Sequence, residues 1–269
     1  MSQRAFRFIP SLPDDIWIRI QSSPRRLLML DYDGTLVPFH TERMAAVPSA
    51  ATLEALRAIL SDPATYGAVV SGRPMAELAA LLGPIRLHLI AEHGWEERTP
   101  DGRQTTHPLP GPIAFRLGQA VRAADGYRDL IERKRCSVVL HTRGVDVPTA
   151  RGVIATCGRL WQEFVVRDGL QILHMDGGLE LRATQRSKGT AVRDLVAVRP
   201  ADSIPVYVGD DETDEDAFAA VLQHGIALHV GLGTGTSAPW SLPSQEAVLQ
   251  FLRQWHRSVS GDEGGSSSP

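Results

Sequence analysis

The sequence has only two cysteines among 269 residues, Cys136 and Cys157. So low a count argues against a disulfide-built secreted domain and fits a reducing compartment. Two thiols cannot close a zinc site, and no nearby histidine spacing completes one, so both read as core filler. No apolar run reaches the roughly 20 residues needed to cross a bilayer. The opening MSQRAFRFIPSLPDD lacks the apolar stretch and cleavage site of a secretory signal, so a cytoplasmic location without membrane attachment is expected. A basic excess is missing too. The 28 Lys and Arg against 31 Asp and Glu leave a net charge of −3, which speaks against a nucleic-acid partner.

What remains is a globular chain, with 43 % apolar residues and no internal repeat. Short apolar runs alternate with helical patterns. Leu27–Leu30, YGAVVSG (66–72), LHLIAEHG, PVYVGDD and IALHVG read as strands, several ending in glycine. Ala50–Leu60, AELAALLG and SKGTAVRDLV read as helices. Such alternation implies βαβ units and a parallel sheet, whose ligands bind beyond the carboxyl ends of the strands. The stretch from Pro108 to Thr184 has another rhythm. AFRLGQAVRAA and TARGVIATCGRLWQEF are helical, while CSVVLHTR, LQILHM and LELRA read as strands, the last two joined by a glycine turn. The expected organisation is an N-terminal segment (1–24), an α/β core (25–107 and 186–258), an inserted α+β domain (108–185) entered through HPLPGP, and a disordered tail (259–269).

Chemistry gathers at the strand ends. LLMLDYDGTLV places Asp31 and Asp33 two residues apart, so in extended backbone both begin on one side. One can serve as nucleophile and the other as general acid if a cation offsets their repulsion. A turn that happens to hold two acids is the competing reading. Later motifs weaken it: Ser71 in VVSGR, Lys188 in RSKGTA, then Asp210, Asp211 and Asp214 in VGDDETDED. Carboxylates at strand ends suit Mg²⁺, and lysine with hydroxyl or N–H donors suits a phosphate.

In this order the motifs resemble the haloacid-dehalogenase superfamily of aspartate-nucleophile phosphatases. LDYDGTL, SGRPMAEL, AEHG, ERKRCSVVLHTR, LELR, KGTAV and VGDDETDEDAF further resemble trehalose-6-phosphate phosphatases across nearly all of 27–253. The resemblance implies a Rossmann-like parallel-sheet core with an inserted α+β cap, and hydrolysis of trehalose 6-phosphate through an aspartyl-phosphate. It makes Asp31 the nucleophile and Asp33 the acid and then base. Ser71 becomes a phosphoryl hydrogen-bond donor, and Lys188 a partner of Asp31 and phosphate. It assigns Mg²⁺ to the Asp31 carboxylate, the Asp33 carbonyl and Asp210, with Asp211 and Asp214 binding directly or through water. Glu132, Lys134, His141, Arg143 and Glu180 match the family's sugar-binding positions in the cap.

Other features stay open at this level. His93 is either a buried, hydrogen-bonded histidine or a substrate contact. Arg73 either touches substrate or cap, or supports a helix. Each cap charge taken alone can equally be a solvated surface residue. Lys134 and Arg143 have opposite parity, so a strand spanning both must be broken or bulged. In LELR, alternation puts Glu180 and Arg182 on one face. Ala183 and Gln185 stand where the family carries proline and glycine, which bears on the sugar rather than on the phosphatase chemistry. The glycine-rich stretch 231–237 lacks a P-loop lysine, and the tryptophans read as packing. The N-terminal SLPDDIWIRIQ reads as an amphipathic segment docked on the core. Phosphatases of glucosylglycerol phosphate, mannosyl-3-phosphoglycerate or sucrose phosphate are the neighbouring enzymatic readings. A phosphosugar mutase and a non-catalytic sugar-phosphate sensor are the more distant ones. The expected partner is a small sugar phosphate, with a functional link to a trehalose-6-phosphate synthase and a monomer or weak dimer as the assembly.

Overall fold

The strand and helix signals resolve, in a computed structural model that describes residues 12–165, 169–175, 177–232 and 235–260, into two compact units. One comprises 1–105 and 187–269, the other 106–186.

In the first unit, helix α1 (Asp14–Ser22) starts after Pro13, with Asp14 and Asp15 in the turn where acidic side chains favour the helix dipole. Its Ile16, Trp17 and Ile20 form the buried stripe expected of an amphipathic segment. The chain then enters β1 (Arg25–Leu30), α2 (Ala50–Leu60), β2 (Thr65–Val70), α3 (Met75–Leu82) and β3 (His88–Ala91). Ser49 caps α2 by accepting from the Thr52 N–H, and Gly83 ends α3. Two short strands that the sequence did not announce, β4 (Glu96–Arg98) and β5 (Gln104–Thr106), extend the sheet edge. β4 runs antiparallel to β3. Both carry mostly polar residues, so no apolar alternation marks them.

The inserted unit holds α4 (Gly111–Ala123), β6 (Ile131–Arg133), β7 (Ser137–His141), α5 (Val147–Gln162), β8 (Leu170–Met175) and β9 (Gly178–Ala183). Its antiparallel sheet has the order β6-β7-β9-β8. The parity conflict between Lys134 and Arg143 is resolved by a break: β6 and β7 are separate strands, and both residues lie outside them. Register pairs Glu132 with Val139, Val139 with Glu180 and Glu180 with Leu173. Directly opposed residues share a face, so Glu132, His141, Glu180 and Arg182 lie on the same one. The other face carries Val138, Leu140, Leu179 and Leu181, all buried. Cys157 and Trp161 of α5 are buried as well, and the Trp161 indole donates to the Ala120 carbonyl at 3.1 Å. Cys136 is also buried.

The chain returns to the first unit as α6 (Lys188–Ala197), β10 (Ser203–Gly209), α7 (Glu215–Val221), β11 (Ile226–Val230), β12 (Trp240–Leu242) and α8 (Gln245–Ser260). Helix α8 therefore runs through Val259 and Ser260, which the sequence placed in the tail; Val259 packs on the apolar core. The rest of the expected tail and the first 11 residues lie outside the described residues. Trp240 sits on a strand and is half-buried, whereas Trp255 is fully enclosed.

Among the described residues the large sheet has the order β12-β11-β10-β1-β2-β3-β4-β5, parallel from β12 to β3. Alternation along the strands divides the core between two faces. Leu28, Leu30, Val69 and Val208 pack in a cluster with residues of α1, α2, α3 and α8. Leu27, Met29, Val70 and Tyr207 pack in a second cluster with residues of α6 and α7. β1 runs on toward β2 and β3 on one side, while β10 and β11 extend the other. The topological switch thus lies between β1 and β10, where ligands bind in such sheets.

Candidate active site

Parallel strands bring their carboxyl ends to one edge, and that places motifs far apart in sequence side by side. Asp31 follows β1 directly, and its N–H donates to the Val208 carbonyl of β10 at 2.8 Å. Ser71 follows β2, and its hydroxyl accepts the Arg73 N–H at 3.1 Å. Asp210 and Asp211 follow β10. Lys188 opens α6, which Ser187 caps by accepting the Thr190 N–H at 3.3 Å, while the Thr190 hydroxyl accepts the Ser187 N–H at 2.8 Å.

Lys188 is the pivot. Its Nζ lies 2.8 Å from Asp31 Oδ1 and 2.8 Å from Asp214 Oδ1, with the ammonium and both carboxylates almost wholly enclosed. Burial alone would lower the Lys188 pKa, but the charges of Asp214 and Asp31 outweigh it and hold it well above the usual lysine value. Burial first, then the Asp214 charge, push Asp31 well above the ordinary carboxylate range, against the pull of Lys188. The same two causes raise Asp210 to about 7. Asp211 goes the other way: Lys188 and the N–H and O–H of Thr213 overcome its burial cost and lower its pKa.

Asp214 is saturated. Oδ1 accepts from Lys188 and from the Tyr207 hydroxyl at 2.6 Å, and Oδ2 accepts the N–H groups of Asp210 (3.0 Å) and Asp211 (3.1 Å). A carboxylate offers about four lone-pair sites, and all four are used. Asp214 thus anchors Lys188 and the Asp210–Asp211 turn. Tyr207 was missed by sequence reasoning, because an aromatic residue inside PVYVG looks like core. Its hydroxyl is the only sign of a second duty, and sequence cannot show where that hydroxyl points.

Oxygens from Asp31, Asp210 and Asp214 all lie within 4.8 Å of one another. The raised pKa values of Asp31 and Asp210 show a cluster short of positive charge, and its donors are all carboxylate oxygens. That combination fits a hard divalent cation and not a thiolate- or imidazole-seeking one. Asp31 and Asp210, which carry fewer donors than Asp214, could hold it. Thr35 steadies Asp210 by donating to Oδ1 at 3.0 Å. Gly34 has φ +83°, and a Cβ there would fall 1.9 Å from Asp210 Oδ2, so glycine is needed for both the turn and the close approach.

Asp33 takes a partner of its own. The strand ends at Leu30, so the two-residue alternation no longer governs it, and that partner is Arg73. Arg73, left open in the sequence between a substrate or cap contact and a helix support, is buried with its guanidinium on Asp33. It is 7 % exposed, and its Nε and Nη2 each donate to an Asp33 oxygen at 2.6 Å.

His93 sits in left-handed backbone, φ +57°, next to Glu92 at φ +44°. Outside glycine this conformation costs about 1–2 kcal/mol per residue, and it is held here by the two backbone N–H groups. Glu92 donates to the Arg73 carbonyl and His93 to the Ser71 carbonyl, each at 2.9 Å. A Cβ on Gly72 would fall 2.6 Å from His93 Nε2, so the ring lies across the Ser71–Arg73 turn, and its charge helps lower Asp211.

In the inserted unit, His141 Nε2 and Glu132 Oε2 are 2.8 Å apart. Glu180 is buried on the same face. Arg143 lies over Gly177, where a Cβ would meet its Cγ at 2.4 Å. Lys134 occupies the β6–β7 turn, its N–H donating to the Ser137 carbonyl at 3.0 Å. The glycine-rich stretch is tied to α7: the Thr236 hydroxyl and Ser237 N–H donate to Glu215 at 2.6 and 2.7 Å.

The sequence profile of the trehalose-phosphatase family matches residues 29–246. The chain belongs to that family. It is 31 % identical over 256 residues to a bifunctional trehalose-6-phosphate synthase/phosphatase of Thermoproteus tenax, covering 94 % of this chain and 35 % of the relative. It is 30 % identical over 232 residues to the trehalose-6-phosphate phosphatase of Escherichia coli, covering 82 % and 83 %. The chain spans about a third of the Thermoproteus relative and of a Schizosaccharomyces pombe trehalose-phosphatase. The C-terminal domain of Candida albicans trehalose-6-phosphate phosphatase superposes with a TM-score of 0.81 at 23 % identity, over 93 % of this chain and 98 % of that one, and so shares the fold. Among the described residues of this trehalose-phosphatase family member, no helix is long and apolar enough to cross a membrane.

Proposed function

We propose that the chain is a Mg²⁺-dependent phosphatase that hydrolyses trehalose 6-phosphate to trehalose and phosphate. The observation that carries this is the enclosed Lys188 bridging Asp31 and Asp214 beside Asp210, at the switch point of the sheet. An ammonium so placed favours the ionised form of Asp31 against its burial and lessens its repulsion toward a phosphate dianion. In the first half-reaction an Asp31 oxygen bonds to phosphorus while the bond from phosphorus to the sugar oxygen breaks. Asp33 gives its proton to that oxygen. In the second half-reaction Asp33 takes a proton from water, whose oxygen bonds to phosphorus as the Asp31–phosphorus bond breaks. Ser71 holds a phosphoryl oxygen with its hydroxyl hydrogen. Asp31, Asp210 and the Asp33 backbone carbonyl would hold Mg²⁺, and Asp211 and Asp214 would reach it through water. When bound, the ion supplies charge neutralisation for the phosphoryl oxygens.

We assign the sugar hydroxyls to Glu132, His141 and Glu180, which share a face, together with Lys134 and Arg143. An uncharged disaccharide needs many hydrogen bonds, and charged partners make the stronger ones. His93 is assigned a steering role at the phosphate. The reaction that supplies such a substrate joins two sugars while leaving one phosphorylated, as the name of the Thermoproteus relative describes for a single chain. A cytoplasmic setting suits the two free cysteines.

The test is phosphate release from a panel of trehalose, sucrose, glucosylglycerol and glucose phosphates and mannosyl-3-phosphoglycerate, with and without Mg²⁺. Trehalose 6-phosphate should give the highest kcat/KM, by about tenfold or more over glucose 6-phosphate, as one or two extra hydrogen bonds would supply, and EDTA should abolish release. Equal rates on trehalose 6-phosphate and glucose 6-phosphate would remove the disaccharide assignment.

A further inference from the structure

We propose that Arg73 is the positioning residue for Asp33: its guanidinium fork fixes the carboxylate in the plane from which it exchanges protons with the ester oxygen and with water. The inference rests on the phosphatase reading above and concerns the same site.

The grip is two-pronged, with Nε on Oδ2 and Nη2 on Oδ1, both at 2.6 Å. Paired donors of this kind set the plane of a carboxylate as well as its charge, which a lysine cannot do. The fork is itself braced. Arg73 Nη1 donates to the Arg43 carbonyl at 2.8 Å and lies 3.6 Å from Glu77 Oε2. Arg43 Nη2 in turn donates to both Glu77 oxygens at 2.9 Å, so Arg43, Glu77, Arg73 and Asp33 form a continuous chain. The guanidinium carbon stands 5.2 Å from the centroid of the Tyr32 ring, which a hydrogen bond from its hydroxyl to the Ala46 carbonyl at 2.6 Å holds still. Behind it, the Arg73 N–H donates to Ser71 Oγ and its carbonyl accepts from Glu92.

A side chain engaged on so many sides is placed to hold a neighbour, not to follow a substrate. Asp33 is the half-open end of the chain: its side chain is 27 % exposed against 8 % for Arg73. The fork uses one lone pair of each Asp33 oxygen and leaves the other for a proton. In the first half-reaction that proton passes to the sugar oxygen as the Asp31–phosphorus bond forms. In the second, Asp33 recovers one from water.

Two esters separate this role from a merely structural one. p-Nitrophenolate leaves as a stable anion and needs no proton, whereas a sugar alkoxide does. Rapid mixing of Arg73→Gln with p-nitrophenyl phosphate should give a burst of about one nitrophenolate per site at a rate within about threefold of wild type, followed by slow turnover as the water step lags. Phosphoryl transfer from trehalose 6-phosphate should fall about 100-fold, within the usual range for proton transfer by a placed side chain. Arg73→Lys, which keeps the charge and the buried methylenes, should show the same imbalance to a smaller degree, and carries the test if Arg73→Gln does not fold. Equal losses on the two esters, or no loss on either, would overturn the role of Arg73. A wild-type enzyme that released phosphate from neither ester would overturn the phosphatase reading, and this inference with it.

Discussion

Asp31→Asn should lower turnover of trehalose 6-phosphate by about 10⁴-fold or more, the scale seen when a nucleophile is removed from a site whose residues act as a unit. The amide keeps the shape of the carboxyl but cannot bond to phosphorus. The fold should not suffer. Burial and the Asp214 charge raise the Asp31 pKa well above its unfolded value, so the folded chain holds this carboxyl's proton to a higher pH than the unfolded chain does. Between the two pKa values stability falls as pH rises, and above both the ionised Asp31 is a cost to the fold. Asparagine removes that cost, while Lys188 keeps its 2.8 Å contact with Asp214. Without metal at pH 7.5, the thermal midpoint of Asp31→Asn should therefore be no lower than that of wild type. Turnover near the wild-type level would strip Asp31 of its role. A large drop in midpoint would contradict the electrostatic account.

The second large effect is expected at Lys188→Met. Methionine fills nearly the same space and leaves Asp31 and Asp214 without their common cation. Breaking a buried pair by removing one partner costs about 3–5 kcal/mol, which here should appear as a lower thermal midpoint. Removing one placed positive group from a phosphoryl-transfer site should also reduce kcat about 10²–10³-fold. The two readouts should respond differently to Mg²⁺. Added metal should recover part of the midpoint, because a second cation relieves the same carboxylates, but it should not restore kcat, because it does not stand where the ammonium stood. Recovery of kcat with Mg²⁺ would mean that Lys188 serves only to neutralise charge.

Residue type and order reached far into this fold. Apolar runs broken at regular intervals gave away the parallel strands, the DYDG, VSGR and VGDD stretches marked their carboxyl ends, and SKG marked a helix start. These motifs meet because parallel strands end on one edge, which is topology and not sequence distance. What the residues could not display were side-chain directions after a strand stops. Asp33 lies past the end of β1, where alternation has no force, so its pairing with Arg73 was hidden. Arg73 stayed open between a substrate or cap contact and a helix support; its bonds to Asp33 and to the Arg43 carbonyl span 40 and 30 residues, which no local pattern displays. The same limit hid Tyr207, whose ring packs edge-on against Phe218 at 5.7 Å and so passes for core, while its hydroxyl serves Asp214. Asp214 itself looked like one more acid in VGDDETDED; the four donors that make it an anchor come from Lys188, Tyr207 and two backbone N–H groups, which spacing does not display.

The account turns on a phosphoryl group passing through Asp31, and the covalent intermediate can be weighed. Wild-type enzyme mixed with trehalose 6-phosphate and Mg²⁺, quenched in acid within milliseconds and digested, should yield a peptide spanning residues 27–37 heavier by one phosphoryl group, with fragmentation placing it on Asp31. Phosphate found on any other residue, or none at all while water oxygen enters the released phosphate in a single step, would contradict it.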